Sequence, residues 1–203
     1  MSEEQSDYDS DEYVKVAIIG ASNAGKSSIV GSFTKGFCPI PDVTLYSQLS
    51  VKDVDLSTHI EHFSLQMKAR LSTVSPITKL VIHDFAGFPR FRELNKTTFN
   101  GVFALIVVFD LTSLSSLSDA VDCLQHFDVC RQLNELRDPV LRILVANKSD
   151  KLEHCLSYED LLEFSEKSSF QKVFQTSAVS GKNIEELFVF VSLEYLKYKV
   201  GAK

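Results

Sequence analysis

Apolar runs of β type alternate with helical patterns from Tyr13 to about Lys197, the signature of an α/β domain with a mostly parallel sheet. Strands are expected at Val14–Ile19, Phe63–Leu71, Lys79–Asp84, Val102–Asp110, Leu141–Asn147 and Val173–Gln175. In the second of these, Phe63, Leu65, Met67, Ala69 and Leu71 alternate with polar residues, as in a half-buried strand. Ser72–Pro76 then turns the chain back, predicting an antiparallel hairpin with Lys79–Asp84. Gly101–Phe109 is apolar throughout, as a central parallel strand buried on both faces should be. Helices are expected from Ser27 to Lys35, near Ser115–Glu135, over Tyr158–Lys167 and from Asn183 onward. Leu117, Val121 and Leu124 give the second its apolar stripe, with Asp128 on the polar edge. Ser157 and Asn183 each precede an acidic first turn, a helix-start pattern, and Ile184, Leu187, Phe188, Val191 and Tyr195 share a face of the last helix.

A chain of 203 residues, 44% hydrophobic, can bury one substantial core, so a single domain over residues 13–203 is expected. The formal charge of −6 is concentrated at one end. Glu3, Glu4, Asp7, Asp9, Asp11 and Glu12 have no base among them, so residues 1–12 read as a disordered acidic tail. Ser6 and Ser10 in that tail are secondary candidates for phosphorylation. The remaining body is near neutral and carries no clustered Lys/Arg, which argues against a nucleic-acid partner. The four cysteines form no CxxC pair and no metal spacing, consistent with a reduced, cytoplasmic protein. No signal peptide or membrane-spanning run is expected.

Candidate chemistry enters at Gly20-Ala21-Ser22-Asn23-Ala24-Gly25-Lys26-Ser27, which fits G-x-x-x-x-G-K-[ST] between a strand and a helix. That arrangement aims successive backbone N–H groups and a helix N-terminus at one anion. Residues Ser22 to Ser28 would line the phosphates, Lys26 would reach the β- and γ-phosphates, and the Ser27 hydroxyl would ligate Mg²⁺. Ser22 and Asn23 are small and polar and need not block the nucleotide. Asn147-Lys148-Ser149-Asp150 follows one strand and Thr176-Ser177-Ala178 another, the carboxyl-end positions where open α/β sheets bind ligands. Asp84-Phe85-Ala86-Gly87 fits D-x-x-G at the end of a third.

In this order and context, the four motifs resemble those of the Ras-like small GTPases, closest to the Rab and Ras branches. The resemblance implies a P-loop GTPase fold: a mostly parallel six-stranded sheet with one antiparallel strand and helices on both faces. It implies GTP/GDP and Mg²⁺ as ligands, and effector, GAP and exchange-factor proteins as partners. Asp150 would accept from the guanine N1–H and 2-amino group, donors adenine lacks. The Lys148 stem would pack on the base, Asn147 would brace the loops, Ser177 would read guanine with them, and the Ala178 N–H would meet guanine O6. Val179 stands where the family often has Lys. Asp84 would hold a Mg²⁺-bound water, and Gly87 would sense the γ-phosphate. Phe37 lies where relatives place an aromatic against guanine.

Three departures shape the functional expectation. Phe88, followed by Pro89, occupies the position of the glutamine that orients the attacking water, and a phenyl ring can neither donate to nor accept from water. Slow intrinsic hydrolysis is therefore expected, unless Phe88 lies outside the site or Arg90, Arg92 or a GAP supplies the missing group. The catalytic set would be Lys26, Gly87 and the family's Mg²⁺-binding threonine, for which Thr44 is preferred to Thr58. Family spacing from Phe37 leads to Thr44, whereas counting back from Phe63–Leu71 leads to Thr58; an enlarged region is expected between the P-loop helix and the second strand. Third, no cysteine follows Cys155, so no direct lipid anchor is expected and membrane contact would run through a partner. The leading expectation is a GTP/GDP-dependent molecular switch. A non-cycling, nucleotide-bound scaffold is the alternative from another class, and a P-loop ATPase is a third.

Overall fold

The computed structural model describes residues 13–38, 47–63, 68–69, 71, 74–87 and 96–201. Its strands are β1 (Tyr13–Gly20), β2 (Ser47–Asp55), β3 (Ile77–Phe85), β4 (Val102–Asp110), β5 (Leu141–Asn147) and β6 (Lys172–Gln175). Its helices are α1 (Lys26–Lys35), α2 (Leu114–Leu133), α3 (Tyr158–Lys167) and α4 (Ile184–Gly201), with short 3-10 turns at Ile60–His62 and Lys96–Phe99. The strands form a single sheet in the order β2-β3-β1-β4-β5-β6. Neighbours are parallel except β2, which runs antiparallel to β3. This is the P-loop α/β architecture expected from the sequence.

The alternation of side chains along each strand builds two cores, one per sheet face. Val14, Val16 and Ile18 of β1, with Ile106 and Val108 of β4, pack beneath Ile29 and Phe33 of α1 and Leu187, Phe188 and Val191 of α4. The intervening residues Ala17, Ile19, Leu105, Val107 and Phe109 face the other way, against Cys123 and Phe127 of α2 and Leu161 of α3. Phe33 and Phe188 stack with ring centroids 3.9 Å apart, tying α1 to α4. The Ser157 cap of α3 is present, with Ser157 and Asp160 exchanging side-chain-to-backbone hydrogen bonds.

One element is misplaced by the sequence reading. The strand antiparallel to β3 is Ser47–Asp55, not Phe63–Leu71. Lys68, Ala69 and Leu71 are helical instead. Phe63, Met67 and Leu71 fit period 3.6 as well as the alternating set fits period 2, so the apolar pattern was ambiguous. The true strand lies at the sheet edge, where only Val54 is buried, so little in its composition marks it. The Leu56 N–H donates to the Pro76 carbonyl (3.0 Å), closing off the long connection between β2 and β3. The extra chain length therefore follows the second strand, where an enlarged segment before it was expected. No helix among the described residues is long and apolar enough to cross a membrane.

Candidate functional site

The carboxyl ends of β1, β3, β5 and β6 lead directly into the four sequence motifs, so the fold gathers them at one rim of the sheet. After β1, residues Ala21–Gly25 turn into α1, and Gly25 takes φ 92°. A Cβ there would lie 2.3 Å from Asn147 Nδ2, so any side chain would push the phosphate loop off the loop after β5. Asn23 adopts φ 59°, a left-handed conformation that asparagine tolerates better than most residues. Lys26 is only 6% exposed, and its Nζ donates to the carbonyls of Ala21 (2.8 Å) and Gly20 (3.3 Å). Burial lowers its pKa, and Asp84 opposes that fall. The ammonium is thus held at the inner wall of the loop, where an anion would complete its shell.

Asp84, from the end of β3, is 1% exposed. Its Oδ2 accepts from the Ser27 hydroxyl, while Oδ1 is buried without a hydrogen-bond partner. Burial raises the pKa of this carboxyl, against the opposing pull of Ser27 and Lys26. An orphaned carboxylate oxygen beside a hydroxyl, at a phosphate-type loop, fits a hard divalent cation that keeps waters and phosphate oxygens as its other ligands, as Mg²⁺ does. No cluster of three His, Cys, Asp or Glu occurs among the described residues, so a cage made wholly of such side chains is not what is built here. Asp84 and Ser27 are the residues that could hold the ion. Gly87 closes this side: a Cβ on it would lie 2.5 Å from Ser22 Cα, so the D-x-x-G backbone rests directly on the phosphate loop.

A buried carboxyl whose pKa is raised stabilises the fold while protonated, and that contribution is lost as pH rises through the raised value. Asp84→Asn removes this titration. In EDTA the variant should therefore melt higher than the natural chain by about 1–2 kcal/mol equivalent, the gap widening as pH climbs above the ordinary aspartate value of 3.8. The same change should weaken Mg²⁺-dependent nucleotide binding. A melting series with pH, with and without Mg²⁺ and GDP, reads both effects.

Asn147 joins the other loops. It is 1% exposed; its Nδ2 donates to the Ala24 carbonyl (2.8 Å), and its Oδ1 accepts from Thr176 Oγ1 (3.1 Å) and the Ala178 N–H (3.3 Å). One side chain therefore locks the phosphate loop, the β5 loop and the β6 loop together. Lys148 takes φ 66°, and the Ser149 N–H donates to the Thr176 carbonyl (3.0 Å). Asp150 Oδ1 accepts from the Ser177 hydroxyl (2.7 Å), the leading reason its pKa lies below the ordinary aspartate value. The Ser177 Oγ in turn accepts from the Ser180 N–H (3.1 Å).

Most residues expected from the sequence meet here: Ala24, Gly25, Lys26, Ser27, Asp84, Gly87, Asn147, Lys148, Asp150, Ser177 and Ala178. Ser22 and Asn23 are exposed on the same loop, and Ser28 lies in the first turn of α1. Phe37 stands 60% exposed beyond the end of α1. Thr58 is elsewhere. Asp55 pairs with Ile77, whereas Asp84 pairs with Gln48, so Thr58 follows the end of β2 remote from Asp84. The seven steps from Ile77 to Asp84 span about 23 Å at ~3.3 Å per residue, which removes Thr58 as a ligand beside Asp84. Thr44, the other choice, lies outside the described residues, as do Phe88, Pro89, Arg90 and Arg92. Thr176 was quoted only as part of a motif, yet it is fully buried against Asn147. Asp110 was missed as a site residue. Only strand register, which sets it opposite Asn147, brings it to this rim.

The family model described as Ras family matches residues 15–197. The Ras-related protein Rab-19 of Mus musculus is 27% identical over 197 residues, covering 96% of this chain and 81% of that protein. The GTP-binding protein ypt1 of Schizosaccharomyces pombe is 28% identical over 92% of this chain and 81% of its own length. The Ras-related protein RABA1c of Arabidopsis thaliana is 30% identical over 89% of this chain and 76% of its own.

Proposed function

The chain belongs to the Ras family of small GTPases, and from that premise we propose a cytoplasmic GTP/GDP switch whose intrinsic hydrolysis is slow. The observation that carries this reading is Asn147, which binds the phosphate loop and both base-side loops in a single buried node. Such a node presets one slot that reads phosphates at one end and a purine at the other. Lys26 and the loop amides from Ser22 to Ser28 would hold the phosphates, Lys26 giving up carbonyl contacts for the β- and γ-oxygens. Asp150, supported by Ser177, would accept from guanine N1–H and the 2-amino group. The Ala178 N–H now makes the longest of the bonds to Asn147, so it is the one guanine O6 would compete for. Lys148 and Phe37 would cover the base. Ser27, Thr44 and Asp84, the last through water, would hold Mg²⁺, which would supply positive charge to offset that of the phosphates.

Hydrolysis adds water to the γ-phosphorus and releases GDP and phosphate. It depends on positioning and on stabilising charge at the equatorial oxygens. Lys26 and the Gly87 N–H would stabilise that charge. Because Gly87 rests against Ser22, its loop would shift when a γ-phosphate enters, which is how effectors, a GAP and an exchange factor would tell the two states apart. Phe88 offers the attacking water no hydrogen bond. Single-turnover hydrolysis of preloaded GTP, natural chain against Phe88→Gln, tests the proposal. Slow hydrolysis accelerated by about tenfold or more in the variant is expected, general-base and water-orienting groups contributing on that scale or above. No turnover in either, with GTP held tightly, would replace the switch by a nucleotide-bound scaffold.

A further inference from the structure

Asp110 closes β4 directly opposite Asn147 in the β4–β5 ladder. Its backbone is fixed: the N–H donates to Ser116 Oγ (2.9 Å), and the carbonyl accepts from the Ser113 N–H (3.0 Å). Both carboxylate oxygens are engaged. Oδ1 accepts from the Thr112 N–H (3.0 Å) and Thr112 hydroxyl (2.7 Å), and Oδ2 accepts from Lys148 Nζ (2.7 Å). The next residue, Leu111, donates its N–H to the Asn147 carbonyl (3.0 Å), so this segment runs alongside the node that joins the loops.

Exposed ion pairs contribute little, because holding two mobile side chains together costs most of the Coulomb gain. This pair differs on the acid side. The Asp110 side chain is 17% exposed and already oriented by Thr112, so only the lysine stem has to be ordered. A lysine carries a flexible four-carbon stem and a point charge. Ordering that stem before a ligand arrives removes a cost otherwise met on binding.

We propose that Asp110 is a positioning residue for nucleotide retention: it tethers the Lys148 ammonium so that the Lys148 methylene stem lies preset as a wall of the purine slot. The inference rests on the guanine-site reading above and deepens it. Asp110 acts through Lys148 and does not touch the nucleotide. In Asp110→Asn, the amide oxygen can still serve Thr112, which turns an N–H group towards the ammonium and breaks the tether.

The test is the release rate of fluorescent mant-GDP from the natural chain, Asp110→Asn, Lys148→Met, their double variant and Thr112→Val, with melting temperatures alongside. Asp110→Asn should speed release by about 3- to 10-fold, and should add no more than about twofold once Lys148 is Met, since residues acting on one interaction are not additive. Thr112→Val should stay within about twofold of the natural chain, because the Thr112 N–H, which valine keeps, still orients the acid. Release at the natural rate in Asp110→Asn would overturn the proposal. So would the same acceleration in the Lys148→Met background, or a Thr112→Val chain that matches Asp110→Asn. If Lys148→Met releases too fast to time, the Thr112 comparison decides. A natural chain that retains no mant-GDP would instead refute the guanine-site reading itself.

Discussion

Lys26→Ala is expected to weaken nucleotide binding severely, and with it to remove most of the thermal stabilisation that GDP gives the natural chain. The ammonium is buried and faces the Ala21 and Gly20 carbonyls. Burial makes its charge costly, as its lowered pKa records. A polyanion at the loop is the partner that recovers that cost. Removing one member of a buried, charged contact typically costs about 2–5 kcal/mol of binding, which is roughly 30- to 4,000-fold in Kd at ~1.4 kcal/mol per tenfold. For the natural chain, GDP at about 100 times its Kd should stabilise by ~2.7 kcal/mol, a rise of about 5–10 °C for a domain of this size. The variant should keep at most about a third of that stabilisation at the same concentration. An equal shift in both proteins would remove Lys26 from the phosphate site. Without nucleotide the variant should not gain much stability, because the desolvation it relieves is offset by two carbonyls losing their donor.

What was legible in the sequence follows from how strongly each residue is constrained. β1, β4 and β5 are covered on both faces, so their composition had to be apolar along the whole run, and they were found nearly to the residue. Lys26, Ser27, Asp84, Asn147 and Asp150 were legible for a different reason. Each depends on a backbone geometry that fixes the spacing of its neighbours, as Gly25 shows by having no room for a Cβ beside Asn147. β2 failed on both counts. It is an edge strand in which Leu49 and Val51 are exposed, and no buried face dictated its pattern. Its true position also resolves the choice between the two threonines against Thr58, something spacing alone could not do. The Asp110–Lys148 pair was invisible because it depends on strand register, a tertiary fact. Nothing local in Asp110-Leu111-Thr112 separates a structural turn from a tether.

Two cores on opposite faces explain why the site can be rigid. The phosphate loop, Asn147 and the loop after β6 grow from strands held by both cores, which suits a base and phosphate site that must be preset. Gly87 is different. It leaves the end of β3, the neighbour of the exposed edge strand β2, and its contact with Ser22 is backbone on backbone. A group arriving at that contact meets no side chain that could yield.

Asp150→Asn should relax the base preference from guanine towards xanthine. The Ser177 hydroxyl holds Asp150 Oδ1 and helps keep the carboxyl ionised, below the ordinary aspartate pKa. An ionised carboxylate has two acceptors and no donor, the complement of the adjacent N1–H and 2-amino donors of guanine. Asparagine can keep the Ser177 bond through its oxygen, so the loop should remain folded and the melting temperature of the nucleotide-free variant should stay within a few degrees. Its amide nitrogen then faces the base as a donor. Guanine meets it with another donor, whereas the 2-oxo group of xanthine accepts. Sites built around such bonds reject the wrong partner by about 10⁴–10⁵ when fully enclosed. Asp150 lies at an exposed rim, where water can compensate, so a smaller loss of roughly 10²- to 10³-fold in GDP affinity is expected, with xanthosine diphosphate binding gained in return. Titrating both nucleotides against both proteins gives a crossed pattern if Asp150 reads the base. Unchanged GDP affinity would mean that base selection lies elsewhere. Parallel loss of both nucleotides would mean that Asp150 supports the loop without reading the purine.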